Sequence, residues 1–181
     1  MTRGPFARWT LARRSQRAAQ DEEFTAFVAT AAPRLRRVAY LMCGDWHLAQ
    51  DLTQTTLARM YASWGRIWRH ANLEAYSRRV LMNAVFDQRK RRSNTEIVLA
   101  ELPEAAHAGA QATTELHVTL MTALATLPPR DQAIVVLRYW EDHSVQTVAE
   151  ILDLSATMVT TRSARALTKL RVLLGDEFAL T

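Results

Sequence analysis

Apolar residues recur at helical spacing along most of the chain. From Trp46 to Trp64 they form one stripe, and polar residues occupy the opposite side of the predicted helix. The inward stripe comprises Ala49, Leu52, Thr56, Met60 and Trp64, widened by Leu57 and Tyr61. Similar spacing predicts four later helices, over residues 116–127, 130–140, 144–152 and 157–174. The periodicity therefore predicts an all-α protein.

Two further helices are predicted in the first half of the sequence. One begins at the acidic residues 21–23, and Pro33 is expected to divide it, because a proline inside a helix removes a backbone hydrogen bond. The other lies within residues 75–92, where a run of apolar residues is interrupted by Asn83. A helix that is apolar on nearly every side belongs inside a bundle. The stretch after Trp64 is predicted to be a loop or a short turn.

The segment between the two groups of helices has no sustained periodicity. Residues 93–112 contain a proline and a glycine and are predicted to form a flexible linker. This linker would join two small helical domains, residues 21–92 and residues 113–175, and residues 176–181 would form a tail. The predicted fold class is therefore all-α with two domains, the second of which contains a helix-turn-helix.

Charge is unevenly distributed along the sequence. The net charge is +5, and residues 1–20 account for it with five Arg and no acidic residue. These residues lack the continuous apolar stretch of a secretory signal, so we expect a disordered basic arm. Residues 76–92 and 162–171 are also basic, and residues 93–127 between them contain Glu but no Lys or Arg. This segregation favours two faces that bind a polyanion, with plain solvated faces as the alternative.

Other features narrow the class of protein. No stretch of roughly 18 apolar residues is present, so membrane insertion is not expected. Cys43 is the single cysteine, which excludes an internal disulfide and suits a reducing cytoplasm. No nucleophile–base pair, glycine-rich phosphate loop or HExxH motif occurs, so we expect no catalytic residue and no cofactor.

Cys43 leaves two minor alternatives. It stands four residues before His47, but no further cysteine is present to complete a zinc site, so no metal is expected. A redox-sensing role for Cys43 competes with the commoner case of a buried thiol.

The last two predicted helices have the features of a helix-turn-helix. Ala149 is small where the two helices must approach closely, and Asp153 tolerates the positive φ that the turn needs. Ser155 is a natural N-cap for the second helix. The N-terminal end of that helix would enter the major groove. An ordinary amphipathic terminal helix is the alternative.

Basic and hydroxyl side chains of this last helix are the candidates for DNA contacts. Arg162 is expected to reach a base edge, whereas Arg165 and Lys169 are expected to contact phosphates. The candidate residues are Ser155, Thr157, Met158, Thr160, Thr161, Arg162, Arg165 and Lys169.

Four segments of the chain stand in a specific order and spacing. They are AQDLTQTTL at 49–57, AYSRRVLMNAVFDQRKRR at 75–92, LATLPPRDQAIVVLRYWEDHSVQTVAEIL at 124–152 and the terminal helix. Together they resemble the group IV (extracytoplasmic-function) sigma factors of the sigma-70 family, most of all the compact actinobacterial type. The resemblance implies that the first domain binds core RNA polymerase and melts the −10 promoter element, and that the second reads the −35 element as duplex. The implied partners are the clamp and flap regions of core polymerase, promoter DNA and, as an optional regulator, an anti-sigma factor.

The resemblance also assigns roles to residues of the first domain. Asp51, Gln54 and Thr55 match the clamp-binding motif, and plain surface polarity is the alternative. Two tryptophans would stack on an unpaired base and the arginines would contact phosphates. The implied −10 contacts are Trp64, Trp68, Arg78, Arg79, Asn83, Arg89, Arg91 and Arg92. A core position for Trp64 and a buried, backbone-bonded amide for Asn83 are the alternatives.

The start of the terminal helix departs from the family pattern. Residues 157–161 read Thr-Met-Val-Thr-Thr, where the family commonly shows Gly-Thr-Val-Lys-Ser. The −35 sequence is therefore not expected to be the common one. The competing function is a stand-alone helix-turn-helix repressor or activator, which would account for residues 113–175 and leave residues 46–64 unexplained.

Overall fold

The computed structural model of the protein describes residues 5–67, 72–95 and 111–175. All regular secondary structure in these ranges is helical, which confirms the predicted all-α class. The helices are α1 (Pro5–Cys43), α2 (Trp46–Ile67), α3 (Leu73–Thr95), α4 (Gln111–Ala125), α5 (Pro129–Val135), α6 (Val145–Leu152) and α7 (Ala156–Leu174). A π-helical segment, Val136–Trp140, directly follows α5.

The first helix is longer than the sequence pattern predicts. It begins at Pro5, so the predicted disordered arm is wrong for residues 5–20. That stretch is rich in Ala and Arg and contains no Gly, a composition that favours helix. Pro33 lies inside α1 and does not divide it, against the prediction. Its side chain is exposed while Ala31 and Leu35 on either side are buried, so packing of the adjacent face holds the helix together.

As predicted, α2 is amphipathic, with one buried side and one exposed polar side. Its buried residues include Ala49, Leu52, Thr56, Met60 and Trp64 of the predicted stripe, whereas Tyr61, which is predicted to widen the stripe, is exposed. The helix continues to Ile67, so it replaces the start of the loop predicted after Trp64. The next helix follows Asn72, whose Oδ1 accepts a hydrogen bond from the backbone N–H of Ala75 at 3.1 Å.

The C-terminal helices form the second group. A turn at Leu127 and Pro128 leads from α4 into α5. The helix predicted over residues 130–140 is an α-helix to Val135, followed by the π-helical segment. Helix α7 packs on α4, α5 and α6. Its buried seam consists of Val159, Ala166 and Leu170, which follow the predicted helical spacing, and of Ser163.

We call residues 5–95 the N-terminal half and residues 111–175 the C-terminal half. The two halves are in contact, because α3 packs on α6 and α1 packs on α4 and α5. Buried apolar residues of both halves, such as Leu35 and Leu137, belong to one continuous cluster. Most of the predicted linker, residues 96–110, lies outside the described part of the chain. None of the helices in the described ranges has the length and apolar character needed to cross a bilayer.

Candidate nucleic-acid interfaces

The structure contains the predicted helix-turn-helix. Asp153 ends α6 with a φ of 55°, the left-handed conformation expected of the turn. The Oγ of Ser155 accepts a hydrogen bond from the backbone N–H of Met158 at 3.2 Å, so Ser155 is the N-cap of α7. Ser144 caps α6 in the same way, through a 3.1 Å bond from the N–H of Thr147. Ala149 is buried, as expected where the two helices meet. The predicted turn and cap are therefore confirmed.

The front of α7 is a surface that could enter a groove. The side chains of Thr157, Met158, Thr160, Thr161 and Arg165 are exposed. The opposite side is anchored, since Ser163 is buried and its Oγ lies 2.9 Å from the hydroxyl of Tyr139. The front of the helix therefore presents hydroxyls, a thioether and one cation to solvent.

Two other cations of α7 do not share this exposed front. The Nε of Arg162 lies 3.1 Å from the Oδ1 of Asp131, and the side chain is one third exposed. Arg162 also lines a cleft that faces Phe86 of α3. Lys169 donates a 2.6 Å hydrogen bond from Nζ to the backbone carbonyl of Thr126, at the end of α4. Both residues thus bind neighbouring segments of their own half, although the sequence predicts that they contact DNA.

The outer face of α2 is polar and accessible. Asp51, Gln54 and Thr55 are all exposed, within one turn of each other. Leu52, Thr53 and Thr56, which alternate with them, are buried. The structure therefore brings the three predicted polymerase-binding residues together on one surface.

The outer face of α3 carries part of the predicted −10 set. Arg79 and Asn83 are exposed on this face, and Arg91 and Arg92 are exposed in the last turns of the helix, where Arg92 lines a cavity with Cys43 and Leu48. The alternative of a buried amide for Asn83 is therefore wrong. Asp87, which lies between Asn83 and Arg91 in sequence, forms an ion pair at 3.7 Å with Arg59 of α2.

Arg78 and Arg89 point away from this face. Arg78 is 1% exposed, and its Nε donates a 2.6 Å hydrogen bond to the Oε2 of Glu141. Its Nη2 lies 2.5 Å from the same oxygen, as an ion pair whose direction is poor for a second hydrogen bond. Arg89 donates to the backbone carbonyl of Met42 and, at 2.6 Å, to the Oε1 of Gln132. The prediction that these two arginines face phosphates does not hold in this arrangement, because each is bound to a partner within the protein.

Trp64 belongs to the core. It is 4% exposed, and its ring lies 4.9 Å from the ring of Phe24 and 5.3 Å from that of Phe27. Because a ring enclosed in this way cannot stack on a base, the predicted −10 contact of Trp64 is wrong and the core alternative is correct. Trp68 lies outside the described residues.

Cys43 is a half-buried thiol. Its Sγ donates to the backbone carbonyl of Asp45 at 3.2 Å. Burial is the largest cause that raises the pKa of the thiol, and the nearby guanidinium of Arg89 only partly opposes it. Within the described residues, no group of three His, Cys, Asp or Glu side chains is placed to hold a metal ion.

Sequence reasoning missed the residues that hold these arginines. Glu141, Asp131 and Gln132 lie far along the chain from the arginines they bind, and no local spacing marks them.

Comparison with known proteins identifies the family. The family model "Sigma-70 region 2" matches residues 27–95, and the family model "Sigma-70, region 4" matches residues 117–170. The RNA polymerase sigma-E factor of Streptomyces coelicolor is 38% identical over 152 residues, which cover 82% of this chain and 84% of that protein. The chain belongs to the sigma-70 family. The predicted resemblance is confirmed, and the protein is an RNA polymerase sigma factor.

Two further comparisons support this assignment. The sigma factor is 30% identical to the extracytoplasmic-function (ECF) RNA polymerase sigma factor SigE of Mycolicibacterium smegmatis over 149 residues, 77% of this chain and 57% of that protein. Its fold matches the sigma factor RpoE solved in complex with the anti-sigma factor NepR from Bartonella quintana, with a TM-score of 0.75 at 23% identity, covering 88% of this chain and 99% of that one. Sigma factors are transcription factors rather than catalysts.

Proposed function

We propose that this sigma factor uses three separate surfaces in transcription initiation. The exposed face of α2 binds core polymerase, the outer face of α3 binds the −10 element, and the front of α7 reads the −35 duplex. The observation that carries the proposal is the helix-turn-helix, because its second helix is buried along one seam and open along its front. The protein would act beside polymerase in the cytoplasm.

The polymerase surface consists of Asp51, Gln54 and Thr55. Their exposure supports this role, since a partner can bind them without disturbing the core behind α2. A carboxylate and an amide also provide hydrogen-bonding groups that suit a basic or polar patch on the polymerase clamp. The flap region of polymerase would contact the C-terminal half.

The −10 surface consists of Arg79, Asn83, Arg91 and Arg92. Three guanidinium groups on one exposed helix support contacts with the phosphate backbone, while the amide can read a base edge. Trp68 keeps the base-stacking role that the family resemblance implies.

The −35 surface consists of Thr157, Met158, Thr160, Thr161 and Arg165. Hydroxyl groups can donate to or accept from any base, and methyl and thioether groups pack on the thymine methyl. Arg165 lies further along α7 and is proposed to contact phosphate. Ser155 contributes as the cap that sets the start of the helix, rather than as a base contact.

An anti-sigma factor is a proposed regulator of this protein. The Bartonella quintana sigma factor of the same fold was solved bound to an anti-sigma factor.

Transcription in vitro tests the proposal. The protein is added to sigma-free core polymerase on genomic DNA of its source, and transcript 5′ ends are mapped. We expect start sites preceded by a shared pair of elements at −10 and −35. A protein that binds palindromic duplexes as a dimer and yields no transcripts would instead be the stand-alone repressor or activator.

The polymerase surface is tested by a pull-down with core polymerase. Asp51→Ala combined with Gln54→Ala should weaken binding at least tenfold, about 1.4 kcal/mol. The matched control is Gln16→Ala combined with Glu22→Ala, which removes the same two chemical groups from exposed positions of α1. If both double variants bind core polymerase equally well, the face of α2 is not part of the polymerase interface.

A further inference from the structure

We propose that a cleft between α3 and the start of α5 binds a nucleoside polyphosphate. The cleft has a volume of about 450 Å³, which lies within the range of small-molecule sites. None of the described residues that line it is acidic, and four are cations, Arg89, Lys90, Arg130 and Arg162. We call it the α3–α5 cleft.

One wall of the α3–α5 cleft is a stripe of α3. Arg89, Lys90 and Ser93 follow Phe86 at steps of three, four and seven residues, so all four lie on one side of the helix. Phe86 is half-buried, whereas Lys90 and Ser93 are exposed. This wall therefore combines an aromatic ring with an ammonium group and a hydroxyl that can donate hydrogen bonds to an anion.

The opposite wall comes from the turn into α5 and from α7. Pro128 and Pro129 give it an apolar surface, and Arg130 and Arg162 each add a guanidinium group. Both walls thus contain an apolar part and a cationic part. A planar base can stack on the ring of Phe86, as bases do on the aromatic side chains of nucleic-acid-binding proteins.

The four cations differ in how free they are to bind a ligand. Arg89 and Arg162 are held by the bonds within the protein described above, which fix their positions at the cleft. Lys90 and Arg130 are exposed and have no ion-pair or hydrogen-bond partner in the described part of the chain. Two free cations therefore lie on opposite walls of one cleft.

This distribution of charge selects the class of ligand. Cations of one sign gathered in a cleft with low-dielectric walls produce a positive potential that attracts anions. A chain of phosphates carries several negative charges and can contact Lys90 and Arg130 together, whereas a base uses the apolar surfaces beside them. A nucleoside polyphosphate combines both chemical groups, so it matches the cleft better than inorganic phosphate or an uncharged nucleoside.

Isothermal titration calorimetry of the full chain tests the binding directly. The ligands are ATP, GTP and inorganic tripolyphosphate, each in buffer without divalent cations. We expect at least one of the two nucleotides to bind with one site per chain, more weakly as salt is added, and tripolyphosphate to bind at least tenfold more weakly. Absence of nucleotide binding up to millimolar concentration overturns the inference. Tripolyphosphate that binds as tightly as both nucleotides overturns the assignment to a nucleoside ligand.

Substitutions of the two free cations locate the site. Lys90→Gln combined with Arg130→Gln should weaken nucleotide binding at least tenfold. The matched control is Arg37→Gln combined with Arg171→Gln, which also removes one exposed cation from each half of the protein but leaves the cleft unchanged. If the control loses as much affinity, the nucleotide is attracted by overall charge and the cleft is not its site.

Phe86→Leu separates the base from the phosphates. The substitution removes the ring but keeps an apolar side chain, so nucleotide binding should weaken at least fivefold while tripolyphosphate binding stays at the parent level. Circular dichroism should show parental helicity in every variant, because the substituted cations are exposed and Phe86 keeps an apolar replacement. Unchanged nucleotide affinity in a folded Phe86→Leu variant would contradict stacking in the cleft.

Binding of DNA at the same cleft is the competing explanation. Neither Lys90 nor Arg130 belongs to the surfaces proposed above for the −10 and −35 elements. The cleft double variant should therefore bind a fluorescein-labelled single-stranded 20-mer DNA as the control double variant does, measured by anisotropy. If it loses affinity for DNA and for the nucleotide by the same factor, the cleft belongs to the DNA surface and the inference is wrong. Promoter-specific transcription with core polymerase tests the proposed function separately, so failure of one does not entail failure of the other.

Discussion

Replacing Arg162 with Ala should leave the −35 sequence preference intact, whereas the same change at Arg165 should weaken binding to every duplex alike. Arg162 is held by Asp131 at 3.1 Å, and its side chain turns toward the cleft beside α3. Arg165 is exposed on the front of α7, beyond the turn that approaches the bases. The structure thus argues against the base contact that the sequence predicts for Arg162, whereas a phosphate contact remains the prediction for Arg165.

The two substitutions are expected to change different quantities, stability for Arg162→Ala and the salt dependence of DNA binding for Arg165→Ala. The Arg162–Asp131 pair is partly exposed, with 33% and 17% of the two side chains accessible, so screening by solvent limits its contribution to folding to about 0.2–1 kcal/mol. Its loss should lower the melting temperature by a few degrees at most. Loss of one phosphate contact at Arg165 should reduce the salt slope on duplex DNA by about 0.9.

The assay uses holoenzyme on a library of −35 point substitutions, built around a promoter mapped by transcription in vitro, at two salt concentrations. Asp131→Ala is the control, because it removes the same ion pair and should reproduce the small loss of stability without changing sequence preference. If Arg162→Ala flattens the preference at one base pair while Asp131→Ala does not, then Arg162 leaves its partner on binding and reads a base. That result would refute the reasoning from the ion pair.

Three other changes probe the cap, the core and the thiol. Ser155→Ala removes the N-cap of α7 and should cost about 0.5–2 kcal/mol of stability, measured by chemical denaturation, with Thr157→Ala as the exposed control. Trp64→Ala leaves a cavity in the core and should lower the free energy of unfolding by about 3–5 kcal/mol. If Trp64 instead stacked on a base, the variant would lose DNA binding and keep the stability of the parent. Iodoacetamide should modify Cys43 more slowly than free cysteine at pH 7.5, as followed by mass spectrometry, because burial raises its pKa above that of a free thiol. Since the folded pKa lies above the unfolded one, the protonated thiol stabilises the fold below the unfolded value, and this contribution is lost as the pH rises through the folded pKa.

Much of the fold could be predicted from periodicity because the helices are amphipathic. The stripe of α2 and the seam of α7 are buried as their spacing indicates. The helix-turn-helix was also predictable, since the side chains of Ser155 and Asp153 fix the local backbone through short-range interactions. Local chemistry of this kind does not depend on the rest of the chain.

The helix ends and the contact between the halves could not be predicted in this way. Residues 5–20 read as a charged arm, yet strong helix formers extend α1 through them. The pairing of Arg78 with Glu141 joins positions 63 residues apart in sequence, and composition gives no register for such a contact. The sequence therefore predicts which helix carries each site residue more reliably than it predicts which side of that helix the residue occupies.

The angular position of each arginine on its helix explains most of these errors. A helix advances about 100° per residue, so Arg162 lies about 60° from the buried Val159, at the edge of the seam, while Arg165 lies about 120° away. A long side chain at the edge can reach a neighbouring helix, but one at 120° meets solvent. On α3, Arg78 and Arg89 fall about 60° and 80° from Leu81, inside the arc between the buried Leu81 and Met82, whereas Arg79 and Asn83 fall on the opposite side. The angle from the apolar arc thus accounts for Arg78, Arg79 and Arg89, but not for Arg92, which lies about 20° from Leu81 and is exposed near the end of α3.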